Sequence, residues 1–209
     1  MKHSFIKLLF LVSLLLGFSQ FSFADDASSP VGLLKSLADK MIANLKTNKA
    51  AIKKDPSLVY SLAYKIVVPH ADLDEMAKRV LPRQTWEHAT STQRKEFEAE
   101  FTTLLVRTYA SALADYSDQT VRFYPVRGGY QGKNYVRVDS QIIRSDGPSI
   151  GVHYQLVLRG QQWKLYDMTV EGVSLLESFR SQFADKLSQG NMASLIQFLK
   201  KHNMQKTRK

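Results

Sequence analysis

From residue 29 onward, apolar positions recur every three or four residues, the spacing that lines one face of a helix. Ser29-Pro30 is a helix start: an N-cap residue, then proline where its missing N–H costs nothing. Val31, Leu34, Leu37, Met41, Ile42 and Leu45 follow at helical spacing, and the more polar residues 46–54 end or fray this helix. Asp55-Pro56 starts a second helix with Leu58, Val59, Leu62 and Ile66, which Pro69 stops. Asp72 with Glu75 has the capping-box pattern and opens a short third helix carrying Leu73, Met76, Ala77 and Val80, ended by Pro82. Thr90 with Gln93 repeats the pattern and opens the longest periodic run, to about Tyr116. That run has two stripes: Phe97, Phe101, Leu104, Leu105, Thr108 and Ala112, then Val106, Tyr109, Leu113 and Tyr116. A surface helix needs only one. Either this helix is buried mid-domain, or one of its faces looks into a ligand cavity.

Beyond Thr120 the period falls to two. Val121 and Phe123 alternate with polar residues, as do Val136, Val138 and Ile142, then Ile150, Val152, Tyr154, Leu156 and Leu158. A last strand is expected from about Trp163 to Val170. Gly128-Gly129, Asp146-Gly147-Pro148 and Gly160-Gln161 are turn signals between these runs. Consecutive strands on short turns make an antiparallel meander with one apolar and one wet face. Gly172 is expected to end the sheet. A helix with Leu175, Leu176, Phe179, Phe183 and Leu187 follows, Gly190-Asn191 breaks it, and a final helix carries Leu195, Ile196 and Leu199. Helices, then strands, then helices predict an α+β fold. The expected architecture is helices packed on a curved antiparallel sheet of about four to five strands, NTF2-like, with room for an apolar cavity between the layers.

Composition bounds what that fold can do. The chain has 209 residues, 44 % apolar and 23 % charged, which suits one globular domain. It has no cysteine, which excludes disulfides, thiolate zinc sites and thiol nucleophiles. Residues 1–24 read as a signal peptide: Lys2 and Lys7, an apolar run over residues 8–18 too short to span a bilayer, and Ser22-Phe23-Ala24 before the cleavage point. Export to the periplasm is therefore expected, with residues 25–202 as a single domain and residues 203–209 as a basic mobile tail. Removing Lys2 and Lys7, and no acidic residue, lowers the formal charge from +10 to +8. An exported basic protein has no nucleic acid to meet; anionic headgroups or an acidic partner fit, as does plain solubility. Arg122, Arg127, Lys133 and Arg137 are candidates for a basic surface.

Candidate chemistry is sparse. His70, His88, His153 and His202 show no metal-ligand spacing, so no metal site and no cofactor are expected. Ser174 is not in a nucleophile elbow and reads as an N-cap; Asp167 and Glu171 read as hydrogen-bonded or solvated carboxylates. No catalytic residue is identified. An enzyme on a hydrophobic substrate would need a polar cluster inside the cavity, and an interaction module would have a filled core.

The residues 163–175, WKLYDMTVEGVSL, with Phe179-Arg180-Ser181-Gln182-Phe183, resemble the signature of the toluene-tolerance, or MlaC, family. Trp86, Ala89-Thr90, Gln93-Arg94, Phe97, Phe101, Leu104-Leu105 and Tyr109-Ala110 extend the resemblance over residues 33–199. Pro82, Met168 and Phe179 depart from the usual family residues. The resemblance implies a periplasmic phospholipid carrier, with phospholipid as cargo rather than cofactor. It implies as partners an inner-membrane ABC transporter complex with its MCE-type lipid-binding subunit and an outer-membrane lipoprotein complex, in a pathway that keeps outer-membrane lipid asymmetry. On this reading the cavity is lined by Leu105, Tyr109 and Leu113 from the long helix and by Val138, Ile142, Val152, Tyr154 and Leu156 from the sheet, with Val170 and Val173 near the rim.

Overall fold

The computed structural model describes residues 28–110, 113, 119–145 and 147–205. The expected signal peptide, the last four residues of the tail, and Ala112 and Tyr116 of the long helix lie outside the described residues. Helices come first: α1 (Pro30–Thr47), α2 (Lys49–Lys54), α3 (Leu58–Ile66), a 3-10 turn (Val68–His70), α4 (Leu73–Val80), α5 (Arg83–His88) and α6 (Ser91–Tyr109). The strands β1 (Thr120–Phe123), β2 (Tyr135–Ile143), β3 (Ile150–Arg159), β4 (Gln162–Val170) and β5 (Val173–Ser174) form one antiparallel sheet in chain order. Helices α7 (Leu175–Ser188) and α8 (Met192–Gln205) close the chain.

The caps largely form as expected. Ser29 Oγ accepts from the Gly32 N–H at 2.9 Å, and Ser174 Oγ from the Glu177 N–H at 3.1 Å. Thr90 and Gln93 make both halves of a capping box. The Asp72–Glu75 box is only half made. Asp72 accepts from the Glu75 N–H at 3.0 Å, but its own N–H donates to the Leu165 carbonyl at 2.8 Å. Glu75 instead pairs with Arg79 on its own helix and with Arg159 at the end of β3. The start of α4 is thereby stitched to the sheet.

Besides α6, which ends at Tyr109 instead of about Tyr116, four boundaries differ from the expectation. Residues 49–54 form α2, whose Ile52 is buried. Helix α5 follows Pro82 and buries Trp86. Glycine 172, at φ +82°, turns the chain so that β5 pairs back on β4. Helix α8 runs three residues into the stretch expected as a tail, because Asn203 is buried and its amide donates to the Glu100 carbonyl and carboxylate at 3.0 and 2.7 Å.

The two stripes of α6 have different main partners, although Tyr109 of the second also meets Phe179 of α7 edge-on at 6.3 Å. Phe97 and Phe101 pack against Phe179 and Phe183 of α7, with ring centroids 5.5–5.7 Å apart. Val106 and the following Ala110 join Leu37, Met41 and Leu45 of α1, Ile52 of α2 and Val59 of α3. A third apolar group sets Leu34 of α1 on Val136, Val138, Leu156 and Trp163 of the sheet. The alternating residues Val157 and Tyr166 also become buried, in the core with Met76, Ala77 and Val80 of α4, so the face expected to be wet is wet only in part.

Candidate functional site

The helical and sheet groups do not close on one another, and a cavity of about 330 Å³ lies between them. Leu37 and Met41 of α1, Ala63 of α3, and Leu73 and Met76 of α4 form part of its wall. Leu105, Val106 and Tyr109 of α6 face it, with Ala110 and Leu113 just beyond. The sheet contributes Phe123, Tyr154, Leu165 and Met168. Ala38, Ala63, Ala71 and Ala110 sit at wall positions, where a larger side chain would occupy the space.

Few polar groups reach the wall, and the strongest are engaged. Thr102 donates to the Glu98 carbonyl one turn back at 2.6 Å. The Asp167 carboxylate accepts from the Met168 N–H at 2.8 Å, the Leu176 N–H at 3.2 Å and the Ser174 hydroxyl at 2.8 Å. This is the start of α7, where exposed N–H groups and the helix dipole favour an anion. Burial, then the nearby Asp167, push the Tyr109 phenol above its ordinary range. Burial does the same to Tyr154. Both phenols therefore stay protonated and neutral at any ordinary pH. Among the described residues no group of histidine and carboxylate side chains could hold a metal, and no helix is long and apolar enough to cross a membrane.

Of the ten residues expected at the site, Leu105, Tyr109, Leu113 and Tyr154 line the cavity. Val138, Ile142, Val152, Leu156 and Val170 share the sheet face of Tyr154, as the register shows, but they are not among the lining residues. Val138 and Leu156 are fully buried where Leu34 of α1 lies over the sheet, so α1 stands between them and the space. Val152 is closed off at 2 % exposure, whereas Val173 of β5 is 63 % exposed. The α1, α3 and α4 walls and Met168 are additions. The sequence signal that would have found them is an apolar stripe interrupted by alanines, Ala38 in α1 and Ala63 in α3.

Of the candidate basic surface, Arg137 and Arg127 are turned to Asp139, at 2.6 and 3.7 Å, and His153 Nδ1 lies 2.8 Å from the same carboxylate. Burial disfavours the Asp139 charge, but hydrogen bonds with Arg137 and His153 outweigh it and hold the carboxyl below the usual range. Lys133 donates to the Gly128 and Gly129 carbonyls, pinning the β1–β2 turn.

Fold and cavity together define a class: an α+β container whose helices hold an apolar space against an open antiparallel sheet. The chain belongs to the MlaC protein family, whose model matches residues 35–201. It is 27 % identical over 161 residues to the toluene tolerance protein ttg2D of Pseudomonas putida, covering 77 % of this chain and 74 % of that one. It is 27 % identical over 172 residues to the intermembrane phospholipid transport system binding protein MlaC of Haemophilus influenzae, covering 81 % and 79 %. A solved phospholipid-binding protein from Ralstonia solanacearum, in complex with a phospholipid, superposes with a TM-score of 0.76 at 31 % identity. That match covers 84 % of this chain and 97 % of the Ralstonia chain.

Proposed function

We propose that this protein is a soluble periplasmic carrier that holds the acyl chains of a phospholipid in the apolar cavity. The observation that carries the reading is the cavity itself, walled by apolar residues of α1, α3, α4, α6 and the sheet. The likeness to a chain solved with a phospholipid bound supports it. Among the described residues the cavity's one wall carboxylate, Asp167, already has three donors, which favours a carrier over an enzyme.

The energetics suit transfer. Two acyl chains hold roughly 30 methylenes, each worth about 0.8 kcal/mol when buried, so the tails cannot stay in water. A bilayer stabilises them almost equally. A carrier must match the membrane closely, or it would never release its cargo. An apolar cavity with few fixed polar contacts does this, because its grip depends on tail volume more than on headgroup identity. The carrier then shuttles phospholipid between an outer-membrane lipoprotein complex and an inner-membrane ABC transporter with its MCE-type subunit, and so maintains outer-membrane lipid asymmetry.

Native mass spectrometry of the mature protein, followed by solvent extraction, tests the reading. Phospholipid in stoichiometric amount that survives gel filtration is the expected result. A folded, lipid-free protein that also takes up no lipid from vesicles would overturn it.

A further inference from the structure

Charge is unevenly spread over the molecule. Residues 28–66, which make α1 to α3, hold seven lysines and two aspartates, a formal +5. Residues 67–205 hold 17 cations and 15 anions, a formal +2. The first stretch contains no arginine. Lys46, Lys49, Lys53, Lys54 and Lys65 are all exposed, and none makes an ion pair among the described residues. Elsewhere Lys78, Arg79, Arg83, Arg137, Arg159 and Lys200 each sit within 2.8 Å of a carboxylate. Leu58 and Tyr64 of α3 add exposed apolar surface among the lysines, at 38 % and 41 %. The inner sides of the same helices carry Leu37, Met41 and Ala63 of the cavity wall. One helix thickness, about 10 Å, thus separates the basic face from the cavity.

We propose that the outer face of α1–α3 is a docking surface for an anionic phospholipid bilayer. A dense set of lysines without carboxylate partners is complementary to a negative surface potential, and each lysine brought near such a surface strengthens binding about fivefold. The residue choice separates a lipid surface from an acidic protein. Protein interfaces are enriched in arginine and depleted in lysine, because arginine pairs bidentately with a fixed carboxylate. A lysine is a compact, hydrated point charge on a flexible stem, which suits a fluid array of headgroups with no fixed geometry. Leu58 and Tyr64 supply apolar and amphipathic contacts at the headgroup level. The inference goes beyond the carrier reading, since docking does not require that the cavity's cargo be known.

Cosedimentation with vesicles tests it, on the mature chain both stripped of cargo and as purified. The probes are vesicles of phosphatidylcholine alone and vesicles containing phosphatidylglycerol. Binding to the anionic vesicles only, weakened by added salt, is expected. Replacing five lysines together (K46Q, K49Q, K53Q, K54Q and K65Q) should weaken that binding by more than about a hundredfold. Removing five cations elsewhere (K95Q, R144Q, R180Q, K186Q and K201Q) should weaken it far less, although net charge falls equally. The matching lysine-to-arginine set should bind like the parent. Circular dichroism melts verify that each variant is folded. No binding to anionic vesicles, or equal loss in both glutamine sets, would overturn the proposal. The first result would assign the face to an acidic protein, and the second would reduce it to net charge. Neither bears on whether phospholipid is found in the cavity.

Discussion

Leu105 and Val152 look alike in the sequence and do different things in the structure. Leu105 borders the cavity, while Val152 is closed off at 2 % exposure on a sheet face whose lining residues lie elsewhere. Leu105→Trp should fill the space and lower phospholipid retained per protein by at least about tenfold, a ratio read by extraction, while the fold keeps its stability. Val152→Ala should do the reverse. It removes buried methyl groups, costs about 2 kcal/mol in urea unfolding, and leaves the cargo per folded molecule unchanged. The opposite pattern would place the cargo over Val152. Alternation along β2, β3 and β4 put Val138, Ile142, Val152, Tyr154, Leu156 and Val170 on one face, and the register agrees. A period of two says which way a side chain points and not what lies above it. The cover over Val138 and Leu156 comes from Leu34, far away in the chain.

Element boundaries were legible where a cap spelled them out, at Ser29, Thr90 and Ser174. Helices α2 and α5 escaped notice because six residues give fewer than two turns, too short for a periodic pattern to register. At α4 the capping motif marks the helix start but only half of it forms, since Glu75 answers a tertiary partner. Arg159 donates to Asp72 at 2.5 Å and to Glu75 at 2.8 Å, and those carboxylates are only 9 % and 11 % exposed. Arg79 also pairs with Glu75 and lies 4.4 Å over the Tyr166 ring. Arg159→Ala should therefore cost about 2 kcal/mol, because it leaves two nearly buried carboxylates short of a donor. Urea unfolding measures the loss. Faster hydrogen exchange confined to the amides of α4 would show that the helix has loosened from the sheet. Unchanged exchange there would mean that the Asp72–Leu165 backbone bond and the buried Met76, Ala77 and Val80 hold α4 without Arg159.

At the scale of the molecule, the order of periods was enough for the α+β class and for an antiparallel meander through β4, while the two-residue β5 beyond Gly172 was not legible. The cavity was not readable in the same way. Apolar stripes look identical whether they meet or stand apart, and the separation depends on where α1, α3 and α4 settle against α6. Those positions are set by many contacts between distant segments, among them Arg159 with α4 and Leu34 with the sheet. The double stripe on α6 came closest, since it called for two partners. The first stripe found the aromatic core of α7 and the second found α1–α3, while Leu105 and Tyr109, one from each stripe, border the space.

That space gives the protein a mechanical signature. A hollow interior is volume that disappears when the chain unfolds, and hydrostatic pressure favours whichever state occupies less room. The stripped protein should therefore come apart at a markedly lower pressure than the loaded one, even if the two melt at similar temperatures. Trp86 and Trp163, each only 6 % exposed, are built-in fluorescent reporters of that transition. The Leu105→Trp variant without cargo should resist compression nearly as well as the filled parent. Equal midpoints for empty and loaded protein would mean that the lipid leaves the hollow unfilled.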